Sequence, residues 1–113
     1  MIKHFFNATK YALQGLSAML RKELAFQCEC VLLIFLIPLA VWLGPTPLSR
    51  AMLIAVLFLV LIVEALNTSL EAVVDRIGSE RHALSGLAKD VAASAVFLSI
   101  VNAIAVWAII LLG

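Results

Sequence analysis

Residues 91–112 run for 22 positions without a charged side chain. A helix rises 1.5 Å per residue, so crossing a hydrocarbon core of about 30 Å takes about 20 such residues. Two further runs are of the same kind. Val31–Leu43 holds 13 uncharged residues, and extending it back to Ala25 gives 19, with Gln27 and Glu29 near one end. Ala51–Val63 is purely apolar and continues in helical register through Asp75. Composition agrees with a lipid environment. The chain is 65% hydrophobic and 13% charged, against about 45–50% and about 25% in soluble domains. That balance excludes a disordered chain, a disulfide scaffold and an ordinary soluble domain. A net charge of +1 also excludes nucleic-acid binding driven by bulk charge.

The expected fold class is therefore an all-α membrane protein with transmembrane helices over 25–43, 51–74 and 91–112. Pro38 should kink the first span, which membrane helices tolerate, and Gly44-Pro45-Thr46-Pro47 should end it in a tight turn. Lys3, Lys10, Arg21 and Lys22 precede span one, Arg50 alone lies in the first loop, and Arg76, Arg81 and Lys89 fall in the second. The positive-inside rule then puts the N-terminus and the 75–90 loop in the cytoplasm and the C-terminus outside. A cleaved signal peptide is not expected, because the apolar stretch starts late and no small-residue cleavage site follows. Before span one, Lys3, Asn7, Lys10, Gln14, Ser17 and Arg21 recur at alternating spacings of four and three. Ile2, Phe6, Leu13, Leu16, Leu20 and Leu24 take the other side. Residues 1–24 thus read as an amphipathic helix lying in the membrane interface. The whole of 1–113 forms one integral-membrane domain. Cys28 and Cys30, two apart on a helix, point in different directions and read as small buried residues rather than a bridge or a metal site.

Span two carries the chemistry. Ionisable groups at a membrane helix centre cost roughly 2.5–3.5 kcal/mol each on insertion scales. Yet this span holds Glu64, Glu71 and Asp75, with Asn67 and Thr68 between them. At 100° per residue, Glu71 and Asp75 each return to within about 20° of Glu64, and Asn67 and Thr68 lie about 60° and 40° off that line. Leu66, Leu70, Val73 and Val74 occupy the other face. Glu64 and Glu71 are about 10 Å apart along the axis, so they suit different tasks. Glu71 suits a divalent cation that prefers hard oxygen ligands; the deeper Glu64 suits a general base. A polar seam between helices or an ion or proton pathway would use the same stripe. The following loop adds Glu80, Arg81, His82, Lys89 and Asp90, whose donors suit phosphate. No Walker-type glycine loop is present.

The run Glu64-Ala-Leu-Asn67-Thr-Ser-Leu-Glu71-Ala-Val-Val-Asp75-Arg76-Ile-Gly78-Ser-Glu80-Arg81-His82, continuing through Ser85 to Lys89-Asp90, resembles the signature of the prokaryotic integral-membrane diacylglycerol kinases. The likeness extends over essentially the whole chain and looks closest to the enzymes of Gram-negative inner membranes. Gram-positive relatives of this fold phosphorylate undecaprenol. The resemblance implies a homotrimer with active sites shared between subunits. It also implies transfer of the ATP γ-phosphate to diacylglycerol at the cytoplasmic face of the bacterial inner membrane, with Mg2+ accompanying ATP. Glu64 then matches the general base, and Glu23 and Glu71 the metal-binding glutamates. Tyr11, Glu80, Arg81, His82, Lys89 and Asp90 match nucleotide-holding positions, together with His4, Glu23 and Glu71. Ala8, Leu13, Ala25, Gln27, Glu29, Glu64, Ala93 and Trp107 fall on lipid-substrate positions, and Asn67 and Asp75 on supporting polar ones. His4 stands where better-known members have arginine, Leu13 where they have tryptophan, and Ala93 where they have serine. The non-enzyme alternative is a small channel or structural subunit whose stripe lines a pore, for which the charged loop signature has no use.

Overall fold

The computed structural model describes residues 1–78 and 83–113. The described residues form four helices: α1 (Ile2–Lys22), α2 (Leu24–Leu43), α3 (Pro47–Ile77) and α4 (Ala83–Leu112). They fall into two units, residues 1–34 and residues 35–113.

In the first unit, α1 is the amphipathic segment. Its apolar stripe, including Ile2, Phe6, Leu13, Leu16 and Leu20, is exposed rather than folded into a core. The helix stops at Glu23, which turns to extended backbone (φ −107°, ψ 109°) while its N–H still donates to the Met19 carbonyl. The Gln27 side-chain amide then donates to the Leu20 carbonyl at 2.8 Å, and the Gln27 N–H to the Glu23 carbonyl at 3.0 Å. Carbonyls at the end of α1, which have no partner within that helix, are thus met by the first turn of α2. One residue suffices for the corner, and Glu23 occupies it.

The second unit starts within α2, which runs unbroken through Pro38. Proline lacks the N–H that would bond the Ile34 carbonyl. The connector to α3 is short and pinned. Thr46 caps α3, its hydroxyl accepting from the Ser49 N–H at 3.1 Å, and Pro47 takes the first helical turn, where its missing donor costs nothing. The Arg50 Nε–H donates to the Gly44 carbonyl at 3.0 Å. That places a cation on the C-terminal, negative end of α2. A Cβ on Gly44 would lie 2.5 Å from Arg50 Cγ and 2.8 Å from the Ala40 carbonyl oxygen; glycine is needed there for close approach.

α3 and α4 pack as an antiparallel pair, since Leu53 meets Trp107 and Asp75 meets Lys89. Their shared core is Val56 and Val60 of α3 with Ala103 of α4, flanked by Val106 and Trp107. The Trp107 indole N–H donates to the Leu53 carbonyl at 3.1 Å, which gives a buried polar edge its partner. The outer faces of α2 and α4 keep large apolar side chains exposed, among them Phe35, Trp42, Phe97 and Ile104. α2, α3 and α4 are each long and apolar enough to cross a membrane, and such exposed apolar faces suit a lipid surrounding.

The helices outrun the apolar spans. α3 covers 31 residues, about 46 Å at 1.5 Å each, and α4 begins eight residues before Val91. The expected 75–90 loop is corrected accordingly. Asp75–Ile77 complete α3, Gly78 caps it in extended conformation, and Ala83–Asp90 form the first turns of α4. Hydropathy marks where lipid begins; helix-forming residues such as Ala83, Leu84, Leu87 and Ala88 carry the helix past it.

Candidate active site

Glu64 sits on α3 at 8% exposure, one of two buried polar side chains among the described residues. Asn67, about one turn on, and Glu71, two turns on, are half-buried and joined: the Asn67 Nδ2–H donates to Glu71 Oε1 at 3.2 Å. Asp75, one turn further, is exposed. Its Oδ1 lies 2.6 Å from the Lys89 ammonium on α4. Glu64, Asn67, Glu71 and Asp75 thus form a line down one face of α3, and Lys89 closes its end. Thr68 lies on the same face, and its hydroxyl donates to the Glu64 carbonyl at 3.0 Å, so its donor serves the backbone. Lys89 lies before the apolar stretch. The Asp75 hydrogen bond, aided by the negative charges of Asp75 and Glu71 and opposed by partial desolvation, holds its ammonium above the ordinary lysine range.

The Asn67–Glu71 bond fixes how the amide faces. A carboxylate only accepts, so Asn67 must offer its nitrogen to Glu71 and turn its oxygen away. That Oδ1 is buried with no hydrogen-bond partner, and a buried acceptor left so costs about 1–3 kcal/mol. It calls for a donor or a cation. The adjoining Glu71 carboxylate keeps free lone pairs and so offers hard oxygen ligands of the sort that hold magnesium or calcium, while Asn67 holds it through the amide nitrogen. No group of three or more His, Cys, Asp or Glu side chains gathers among the described residues. So sparse a set of carboxylates suits magnesium, which keeps waters and takes remaining ligands from phosphate, better than a metal caged wholly by protein.

The other expected site residues are spread over both units. His4, Ala8, Tyr11 and Leu13 are exposed along α1, Glu23 is half-buried at the corner, and Ala25, Gln27 and Glu29 occupy the first turns of α2. Asp90 and Ala93 are exposed on α4. Trp107 is half-buried with its N–H given to Leu53. Glu80, Arg81 and His82 lie outside the described residues. Among the contacts that sequence patterns do not show are Asp75 with Lys89 and Arg50 with Gly44. Charge complementarity hinted at the first. Nothing in periodicity pointed to the second.

The family model for prokaryotic diacylglycerol kinase matches residues 10–111. The chain belongs to that family. Among its relatives in this family is the diacylglycerol kinase of Haemophilus influenzae, 46% identical over 106 residues that cover 94% of this chain and 90% of the relative. The diacylglycerol kinase of Pseudomonas aeruginosa is 46% identical over 112 residues, 99% of this chain and 91% of its own length. That of Escherichia coli K12 is 45% identical over 104 residues, 92% and 85% respectively. The prokaryotic diacylglycerol kinase match takes in the whole line from Glu64 to Lys89 and, but for Leu112, all three helices able to span a membrane.

Proposed function

We propose that this chain is a lipid kinase that transfers the γ-phosphate of ATP to the free hydroxyl of diacylglycerol, giving phosphatidic acid and ADP. The observation that carries this reading is a buried carboxylate, Glu64, set above a Glu71 carboxylate that Asn67 holds by an N–H···O bond on a membrane-length helix, in a chain of the diacylglycerol kinase family. Phosphoryl transfer asks the protein for positioning, charge neutralisation and help with the acceptor proton. Glu64 accepts the proton of the lipid hydroxyl as its oxygen bonds to the γ-phosphorus. The bond from that phosphorus to the bridging β-γ oxygen breaks, and ADP leaves. By the resemblance, Glu71 and Glu23 would hold Mg2+ with the phosphates, Asn67 keeping Glu71 in place, and the ion would supply positive charge against the phosphate oxygens. Lys89, with Glu80, Arg81, His82, Asp90, Tyr11 and His4, holds the nucleotide. Ala8, Leu13, Ala25, Gln27, Glu29, Ala93 and Trp107 contact lipid.

Residues 1–113 act as one membrane-embedded kinase domain and assemble as a homotrimer whose sites are shared between subunits. The sequence resemblance supports the trimer, and the few oxygen donors that one line of α3 provides are in keeping with it. The protein resides in the bacterial inner membrane, with the N-terminus and the α3–α4 connection in the cytoplasm and the C-terminus in the periplasm.

The deciding experiment incubates purified protein in mixed micelles with labelled ATP and magnesium, offering diacylglycerol or undecaprenol separately. Label appears in phosphatidic acid. Label confined to undecaprenol overturns the acceptor, and no lipid labelling overturns the kinase. For topology, Ser79→Cys and Gly113→Cys, each in a chain with Cys28 and Cys30 changed to Ser, react with an impermeant thiol reagent from opposite sides. Reaction of both from one side removes the three-span arrangement.

A further inference from the structure

Lys89 is a long side chain with four rotatable bonds, and on a helix surface it would ordinarily sample many positions. Here its ammonium is held 2.6 Å from Asp75 Oδ1, reaching across from α4 to α3. Asp75 follows Glu71 by four residues, as Glu71 follows Asn67, so the three lie one above another on α3. The pair is partly open, with side-chain exposures of 42% for Lys89 and 65% for Asp75. A solute can reach it. An ammonium has three N–H donors. One directed at Asp75 leaves two, and both remain near the end of the carboxylate line.

We propose that Asp75 is a positioning residue for phosphoryl transfer: it fixes the Lys89 ammonium at the end of the Glu64–Asn67–Glu71 line, so that the two remaining N–H groups meet the phosphates of the nucleotide. The inference rests on the reading above that this line is the active site and that Lys89 binds nucleotide. A flexible cation that must be caught during each turnover loses part of its worth to ordering. One already held in place does not. Asp75 also places a third negative charge on a face that must accept a polyanion. Were it only a surface charge, its removal would ease nucleotide binding. As a positioning residue, its removal must slow the chemistry instead.

The test is a double-mutant cycle on the purified full chain in micelles, with Asp75→Asn, Lys89→Gln and the two combined. Each variant is read for kcat, for KM of ATP, and for equilibrium binding of the magnesium complex of a non-hydrolysable ATP analogue. Both side chains are partly exposed, so thermal unfolding should match the parent and serves as the folding control. Lys89→Gln weakens binding of the analogue by about tenfold or more, the scale of one charge-assisted contact to phosphate. Asp75→Asn lowers kcat by about tenfold and changes analogue binding by less than about threefold, as expected when an interaction made in the transition state is lost. In the Lys89→Gln background, Asp75→Asn costs nothing further in kcat, because the two act as one unit. Asp75→Glu recovers part of the rate. Exchanging the charges, Asp75→Lys with Lys89→Asp, restores a pair without restoring activity. Losses that multiply in the double variant, or a normal kcat with tighter analogue binding in Asp75→Asn, overturn the role of Asp75. If Lys89→Gln binds the analogue normally, the nucleotide role of Lys89 fails instead, whatever Asp75 does.

Discussion

The two ends of the α3–α4 pair are built on opposite principles. At the Leu53–Trp107 end, polar contacts run from side chain to backbone: the indole N–H to the Leu53 carbonyl and, beside it, the Arg50 guanidinium to the Gly44 carbonyl. Next to Trp107 lie Val56, Val60 and Ala103, an apolar core. At the Asp75–Lys89 end, contacts run from side chain to side chain, between charged or amide groups that remain partly open. Backbone carbonyls cannot move without moving a helix, whereas paired side chains can admit a third partner. The first end fixes the helices; the second leaves polar groups open, as the proposed kinase site requires.

Four substitutions would break or sharpen that contrast. The largest effect belongs to Glu64→Gln, which keeps size but cannot take a proton. General-base help is worth about 10²–10⁴-fold, so kcat should fall by that factor with much smaller changes in both KM values, measured in steady-state assays. A near-normal kcat with altered thermal stability would make Glu64 part of the fixing core rather than of the reactive line. Next is Asn67→Ala, which frees Glu71. Losing a group that orients a metal ligand typically costs about 10–100-fold in metal affinity or activity, so the magnesium concentration for half-maximal rate should rise by that amount. An unchanged magnesium titration would disconnect the pair from the ion. At the other end the effects should appear as stability. Gly44→Ala forces a methyl against Arg50 and Ala40 and should cost about 1–3 kcal/mol, seen as a lower Tm in detergent with the activity of folded protein retained. Smallest is Trp107→Phe, which deletes one hydrogen bond worth about 0.5–1.5 kcal/mol. Unfolding in detergent measures that loss, and a change larger than the one in Gly44→Ala would reverse the ranking of the two contacts.

Much of this architecture is legible in the sequence because lipid punishes exceptions. The uncharged run ending at Leu112 and the apolar run beginning at Ala51 have no other stable home. The alternation of Lys3, Asn7, Lys10 and Gln14 against Phe6, Leu13 and Leu16 writes the α1 face directly. Glu64, Asn67, Glu71 and Asp75 stand out for the same reason: 3.6-residue periodicity puts them on one line. Periodicity speaks only of a single helix, however. That Trp107 reaches Leu53, 54 positions away, or that Lys89 closes on Asp75, depends on how α4 rotates against α3. No local pattern encodes that angle. Helix ends differ from the apolar boundaries for a related reason. Gly78 and the residues from Ala83 to Asp90 obey backbone preferences, while the boundary at Val91 obeys only solvation.

The join between α2 and α3 limits anyone who would attach something to this molecule. Pro45 and Pro47 have no N–H to rearrange, the Ser49 and Arg50 amides are committed to Thr46, and the Gly44 carbonyl is committed to Arg50. No slack is left for an epitope tag, a fluorophore loop or a split-reporter fragment between residues 44 and 49. Even a two-residue insertion has to unseat both the threonine cap and the arginine, so reporters belong elsewhere on the chain.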